Sequence, residues 1–146
     1  MTAPAINWRG LYDRGWSIIP VKPGSKLPAI RWDRYQMHRA TVEEVAEWAA
    51  TDCNVGVVTG AISGIVVLDC DTPEAIEQAE VLGVAGALSV RTAKGRHFYF
   101  HHPGGIVRNR VKFCPGMDLR ADGGFVVGPG SIHPDGSVYS ELELWL

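Results

Sequence analysis

The longest apolar run of the chain ends on two carboxylates, Ile65-Val-Val-Leu-Asp69-Cys70-Asp71. Residues two apart on a strand share a face, so Asp69 and Asp71 project to the same side at the strand's C-terminal end. Like charges that close repel, and a cation between them relieves the repulsion. Oxygen donor sets suit Mg²⁺ or Mn²⁺, ions that also take substrate phosphates. The competing reading is a strand-to-helix turn in which Asp71 or Thr72 caps the next helix. A second segment, Thr92-Ala-Lys-Gly-Arg-His97-Phe-Tyr-Phe100, starts an aromatic strand on a histidine. Alternation puts His97 with Tyr99 on one face and Phe98 with Phe100 on the other. His97 suits contact with a triphosphate, or a structural place at a strand end. In the third segment, Asp118 and Arg120 are again two apart. The guanidinium fork matches phosphate oxygens, whereas an ordinary surface ion pair is worth little.

Further cations lie around these segments. Lys22 and Lys26 sit on a Pro/Gly loop, a place for phosphate contacts or for solvated lysines. Arg91, Lys94 and Arg96 surround the turn before His97. Arg108, Arg110 and Lys112 gather positive charge just before Asp118, and such a strip beside an acidic pocket suits a nucleic-acid backbone.

Elements must position these groups. Asn7 caps a short helix ending near Arg14, with Gly15 as a left-handed stop. Residues 16–21 read as a strand, and 22–28, with two prolines and a glycine, as irregular. Thr41-Val-Glu-Glu44 has the form of a capping box, opening a helix with Val42, Val45, Ala46 and Ala49 on one face. Strands are expected at 54–58 and 65–69. Thr72-Pro73 starts a helix running to about Leu82 and stopping at Gly83. Further strands are expected at 88–92, 97–100, 117–120, 125–127 and 138–142. Helices first and a β-rich second half make an α+β chain.

With 146 residues, 46% hydrophobic and 21% charged, the chain is long and apolar enough for one domain with a substantial core. A net charge of −2 implies weak non-specific DNA affinity, without excluding an enzyme whose acidic pocket lowers the total. Cys53, Cys70 and Cys114 form no C-x-x-C pair, so neither a zinc ribbon nor a disulfide framework is indicated. Residues 1–10 lack signal-peptide regions, and the longest apolar run is too short for a bilayer. No membrane partner is expected, and the simplest location is the cytoplasm. The Glu-Leu-Glu-Leu-Trp-Leu tail stops on a strand-like alternation, which suggests a single domain (residues 1–146) cut from a longer protein.

Taken in order, the segments resemble the bifunctional primase-polymerase (Prim-Pol) domain of the archaeo-eukaryotic primase superfamily. The resemblance runs through Gly15-Trp16…Ile19-Pro20-Val21, Lys26-Leu-Pro28…Trp32, Asn54-Val-Gly56…Thr59-Gly60 and Ser63 to Asp71. It continues in Gly95-Arg96-His97-Phe-Tyr-Phe100, Gly116-Met-Asp118-Leu-Arg120…Gly123-Gly124 and Pro129-Gly-Ser131…Gly136…Tyr139. It implies an RRM-like antiparallel or mixed sheet packed with a small N-terminal α/β unit. It implies metal binding by Asp69, Asp71 and Asp118, and nucleotide-phosphate contact by His97. Arg120, Lys26, Arg91 and Ser131 follow as substrate contacts. Mg²⁺ or Mn²⁺ as cofactors, (d)NTPs, a DNA template and primer, and a downstream helical or helicase domain are implied with it. The chain departs from the family pattern at Arg96, where a small residue is common, at Lys94-Gly95 in place of Gly-Gly, and at Pro129-Gly130-Ser131 in place of Pro-Pro-Ser.

A different class of reading is a non-catalytic nucleotide- or DNA-binding module, which predicts binding without turnover. A rolling-circle nickase is disfavoured, because His97 and His101 are too far apart and adjacent His101 and His102 point oppositely on a strand. A P-loop enzyme is excluded by the lack of G-x-x-x-x-G-K-[ST].

Overall fold

The computed structural model describes residues 3–83 and 88–143. Helix α1 (Trp8–Asp13) is capped by the Asn7 side chain, which accepts the Gly10 N–H, and the chain turns out of it through Gly15 at φ +89°. Strand β1 (Ser17–Val21) follows, then a single 3-10 turn (Asp33–Gln36) absent from the sequence expectation. Helix α2 (Val42–Ala49) has the expected reciprocal capping box between Thr41 and Glu44.

The face of α2 differs from the one expected. Only Val45 of that stripe is buried, while Val42, Ala46 and Ala49 are exposed. The Tyr35 hydroxyl donates to Glu44, and the Trp48 ring meets Tyr35 edge-on at 5.6 Å. Trp48 turns toward the core where two alanines were expected, because its ring removes far more apolar surface from water.

Strands β2 (Asn54–Val58), β3 (Ile65–Cys70), β4 (Leu88–Arg91), β5 (Arg96–His101), β7 (Met117–Arg120), β8 (Phe125–Val127) and β9 (Ser140–Glu143) fall close to expectation. Helix α3 (Pro73–Val81) is capped by Thr72. Strand β6 (Arg110–Cys114) has no counterpart in the sequence reading. The tail, read as a strand pattern, lies outside the described residues beyond Glu143.

The strands form two sheets, ordered β1-β2-β8 and β6-β7-β3-β5-β4-β9, and every pairing between these strands is antiparallel. The small N-terminal sheet is completed by β8 from the second half of the chain, so the two units share one main core. That core joins Ile18, Ile19, Val55 and Val57 to Ile65, Val67, Val90 and Tyr99. The other face of the large sheet, with Leu68, Cys70, Phe98 and Met117, packs against Ala75 and Ala79 of α3. This two-sided burial explains the near-continuous apolar run of β3, and its alternation leaves Asp69 on the main-core side where the apolar residues give out. No helix among the described residues is long and apolar enough to cross a membrane.

Candidate active site

The central strand brings the three chemical segments into one row. Asp69 on β3 stands opposite His97 on β5 and opposite Asp118 on β7. Asp71, one residue past the strand, is anchored by its own N–H, which donates to the Gly116 carbonyl at 2.8 Å. The turn between β4 and β5 closes over the same end. A Cβ on Gly95 would come within 1.9 Å of the Cys70 carbonyl oxygen, so only glycine lets this turn lie so close to β3.

His97 is buried, and its Nε2 is 3.3 Å from Asp69 Oδ1. Its Nδ1, like the Tyr99 hydroxyl, is enclosed without a protein hydrogen-bond partner. Burial works to raise the Asp69 pKa, but contact with His97, and then with Asp71 and Arg120, brings it net below the usual carboxylate range. Asp71 goes the other way: partial burial, then the Asp69 charge beside it and Asp118 beyond, raise its pKa. One carboxylate is thus held ionised while its neighbour resists ionisation. That is the signature of two like charges crowded together.

A cleft of about 40 Å³ opens at this end, lined by Lys26, Asp69, Asp71, Thr92, Ala93, Lys94, His97, His133 and Tyr139. By the space a water needs, this is room for about three waters, or for an ion with part of its shell. Of three larger hollows, those of about 360 and 320 Å³ are both lined by Arg14, whose charge is already paired with Glu141 at 2.6 Å, and one of about 180 Å³ lies on the other side of His133, by Pro23 and Asn54. Asp69, Asp71, His97 and Lys26 of the sequence candidates therefore share one cleft. Asp118 and Arg120 stand on the neighbouring strand β7, on the same face as Asp69 but outside the cleft lining, with Arg120 Nη2 3.2 Å from Asp118 Oδ2 and the Lys112 N–H donating to Asp118 Oδ1 at 2.8 Å. Arg91 is exposed at the end of β4. Ser131 is fully buried, and its hydroxyl lies between the N–H and carbonyl of Val55 at 3.1 and 3.3 Å.

Two lining residues were missed from the sequence. His133 sits in the turn Ser131-Ile-His133-Pro-Asp135-Gly136, where its Nδ1 accepts the Asp135 N–H at 3.0 Å. The same Nδ1 is also 3.0 Å from Asp135 Oδ1, so Asp135 holds the ring through both its N–H and its carboxylate. Tyr139 lies between the two histidines, with ring centroids 6.1 Å from His97 and 6.2 Å from His133. Burial, then the charges of Asp69, Asp135 and Asp71, push its phenol up to about 12, so it remains a hydrogen-bond donor at neutral pH. A histidine locked in a Pro/Gly turn was the available signal.

The family model for the N-terminal domain of bifunctional DNA primase/polymerases matches residues 9–144. The chain belongs to the Prim-Pol family. No curated protein matches the sequence. Prim-Pol membership carries nucleotidyl transfer of the primase/polymerase type, with DNA and nucleotides as the binding partners and divalent metals in general use.

The residues of the Prim-Pol cleft fit such an ion. Two carboxylates on one side, one of them resisting ionisation for want of a counter-charge, are the hard oxygen donors Mg²⁺ prefers. Among the described residues no group of three His, Cys, Asp or Glu side chains could hold a metal by itself. The Asp118 carboxylate, directly opposite Asp69 on β7, accepts from the Lys112 N–H and from Arg120. A two-carboxylate set accords with the habit of Mg²⁺, which completes its shell with waters and substrate phosphates.

Proposed function

We propose that the Prim-Pol chain extends or synthesises primers on a DNA template, taking nucleotidyl groups from (d)NTPs with Mg²⁺ or Mn²⁺ held by Asp69 and Asp71, with Asp118 beside them. The observation that carries this reading is the carboxylate pair at the end of the central strand, backed by His97 and sharing one cleft with Lys26 and Lys94. In the transfer, the primer 3′-oxygen bonds to the α-phosphorus, the bond to pyrophosphate breaks, and the hydroxyl proton leaves to solvent. Bound ions would favour the attacking oxygen as alkoxide and offset the triphosphate charge.

The chain's own groups bind and orient. Asp69 is kept ionised by His97, and so remains a ligand at neutral pH. Lys26 and Lys94 bring positive charge to the triphosphate, and the His133 imidazole lies on the same wall. Arg120, with Asp118, sets the charge beside Asp69. Catalysis is then positioning and charge stabilisation, with no protein nucleophile.

Extension of a labelled primer on a DNA template, with dNTPs or NTPs and Mg²⁺ or Mn²⁺, tests the reading against Asp71→Asn. Metal-dependent extension by the natural chain, lost in the variant, supports it. Triphosphate binding without any extension by the natural chain would replace it with the binding-module reading.

A further inference from the structure

Between Glu80 and Asp118 the sequence holds no acidic residue and six of its 14 lysines and arginines, although the whole chain carries a net charge of −2. The topology puts the last three of these cations, Arg108, Arg110 and Lys112, on and beside β6, which is the edge of the large sheet. Strand β6 borders β7, which carries Asp118, so the positive strip runs alongside the acidic cleft.

The strip is also apolar. Val111 is 68% exposed, Phe113 36%, and Ile106 is exposed just before them. Charges placed on an edge strand only to prevent strand pairing do not require valine and phenylalanine beside them in solvent.

The backbone is shaped to display these groups together. Lys112 has φ +55°, in the left-handed region that a non-glycine residue enters only at a cost. The pairing with β7 shifts register at this point. On a regular strand Arg110 and Phe113, three apart, would point to opposite faces. Here the Arg110 guanidinium lies 5.4 Å from the centre of the Phe113 ring, on the same side. The Lys112 N–H meanwhile donates to Asp118, which ties the bulge to the site.

Resting on the proposed primer-synthesis reading, we infer that the β6 edge is the docking surface for the single-stranded template. Arg110 and Lys112 take its phosphates, and Phe113 stacks on an unpaired base. Cations interleaved with an exposed aromatic ring are the combination that binds single strands without sequence preference. A duplex hides its base faces and offers Phe113 nothing.

Anisotropy of a labelled oligothymidylate in EDTA tests the surface without the metal site, and a duplex of equal length is the comparison. The natural chain should bind the single strand more tightly than the duplex. Phe113→Ala should weaken single-strand binding by about 10-fold. Arg110→Ala/Lys112→Ala should lower the slope of log affinity against log salt by about 1.4, at ~0.7 for each phosphate no longer neutralised. All three changes lie on exposed residues, and matching melting curves confirm the fold. No single-strand binding, equal binding of duplex, or variants that bind as the natural chain does would overturn the inference. If these variants lose the oligonucleotide while the natural chain fails to extend a primer, the surface stands and the catalytic reading falls. If extension is intact in the natural chain and in the β6 variants alike, the catalytic reading stands and the surface falls.

Discussion

His97 beside Asp69 and His102 beside Asp122 are the same residue types at nearly the same distance, 3.3 and 3.1 Å, and both imidazoles are almost fully enclosed. Their surroundings differ in kind. His102 has both nitrogens occupied: Nε2 faces Asp122, and Nδ1 accepts the Gly104 N–H at 3.0 Å. Asp122 also accepts the N–H of Ala61 and of Val107, each at 2.9 Å. It thus ties the turn before β3 to the loop before β6. His97 has an enclosed nitrogen without a protein partner, and Asp69 has a second carboxylate crowding it. A pair whose hydrogen bonds are all made inside the protein is a fastener. A pair with charge and bonding capacity left over is poised for something from outside.

The sharpest way to break this contrast is to disable one member of each pair. Asp69→Asn should reduce metal-dependent primer extension by more than about 100-fold, since even outer partners of metal ligands are worth 10- to 100-fold. Its thermal midpoint should change little. Asp122→Asn should leave extension by the folded fraction within a few-fold of the natural chain. Comparable losses in both would erase the distinction.

Stability should respond in the opposite sense. Asp122→Ala leaves two backbone N–H groups and a histidine without their acceptor, which should cost about 2 kcal/mol in urea unfolding. Partial burial works to raise the Asp122 pKa, but the Val107 and Ala61 N–H groups and His102 outweigh it and hold it below the usual value. Its contribution is therefore present above the unfolded carboxylate pKa and lost as pH falls through the lowered folded one. The gap in stability between the natural chain and Asp122→Ala should accordingly shrink at acid pH.

His97→Gln should cost activity about 10- to 100-fold with a stability change within about 1 kcal/mol. Removing an enclosed nitrogen that has no protein partner offsets much of the lost packing. A loss of stability as large as that of Asp122→Ala would make His97 a fastener too.

The smallest effect concerns Asp71. Its pKa is raised in the folded chain by burial and by Asp69, so its contribution to stability is present below the unfolded pKa and lost as pH rises through the folded one. At neutral pH without metal, Asp71→Asn should therefore melt slightly higher than the natural chain, and the difference should vanish in acid. It should stay small, because Asp71 is exposed and its charge screened.

Much of this was legible in the residues. The capping box, the proline-started α3 and the apolar run into Asp69 are local signals, and they specify three elements and the carboxylate pair. The meeting of Asp69, His97 and Asp118 in one row depends on strand order, which local patterns do not encode; only the ordered resemblance suggested it. Strand β6 was missed because its side chains are exposed on both faces, so burial imposes no period on Arg-Val-Lys-Phe-Cys. The helix α2 face was misjudged because alternation counted Ala46 and Ala49 as equal to Trp48. His133 and Tyr139 reach the cleft from about 40 residues beyond His97, at a distance no spacing rule covers. The same holds for the His102–Asp122 fastener, which only the folded chain assembles.

The central claim is that the Asp69–Asp71 end of the sheet is a cation site while the Asp122 end is not. Mn²⁺ binding in the presence of a triphosphate, followed by loss of the free-ion paramagnetic resonance signal, tests it most directly. The natural chain and Asp122→Asn should take up Mn²⁺ alike, and Asp69→Asn and Asp71→Asn should bind it at least about 10-fold more weakly. Equal uptake by all four proteins, or none by the natural chain, would contradict the account.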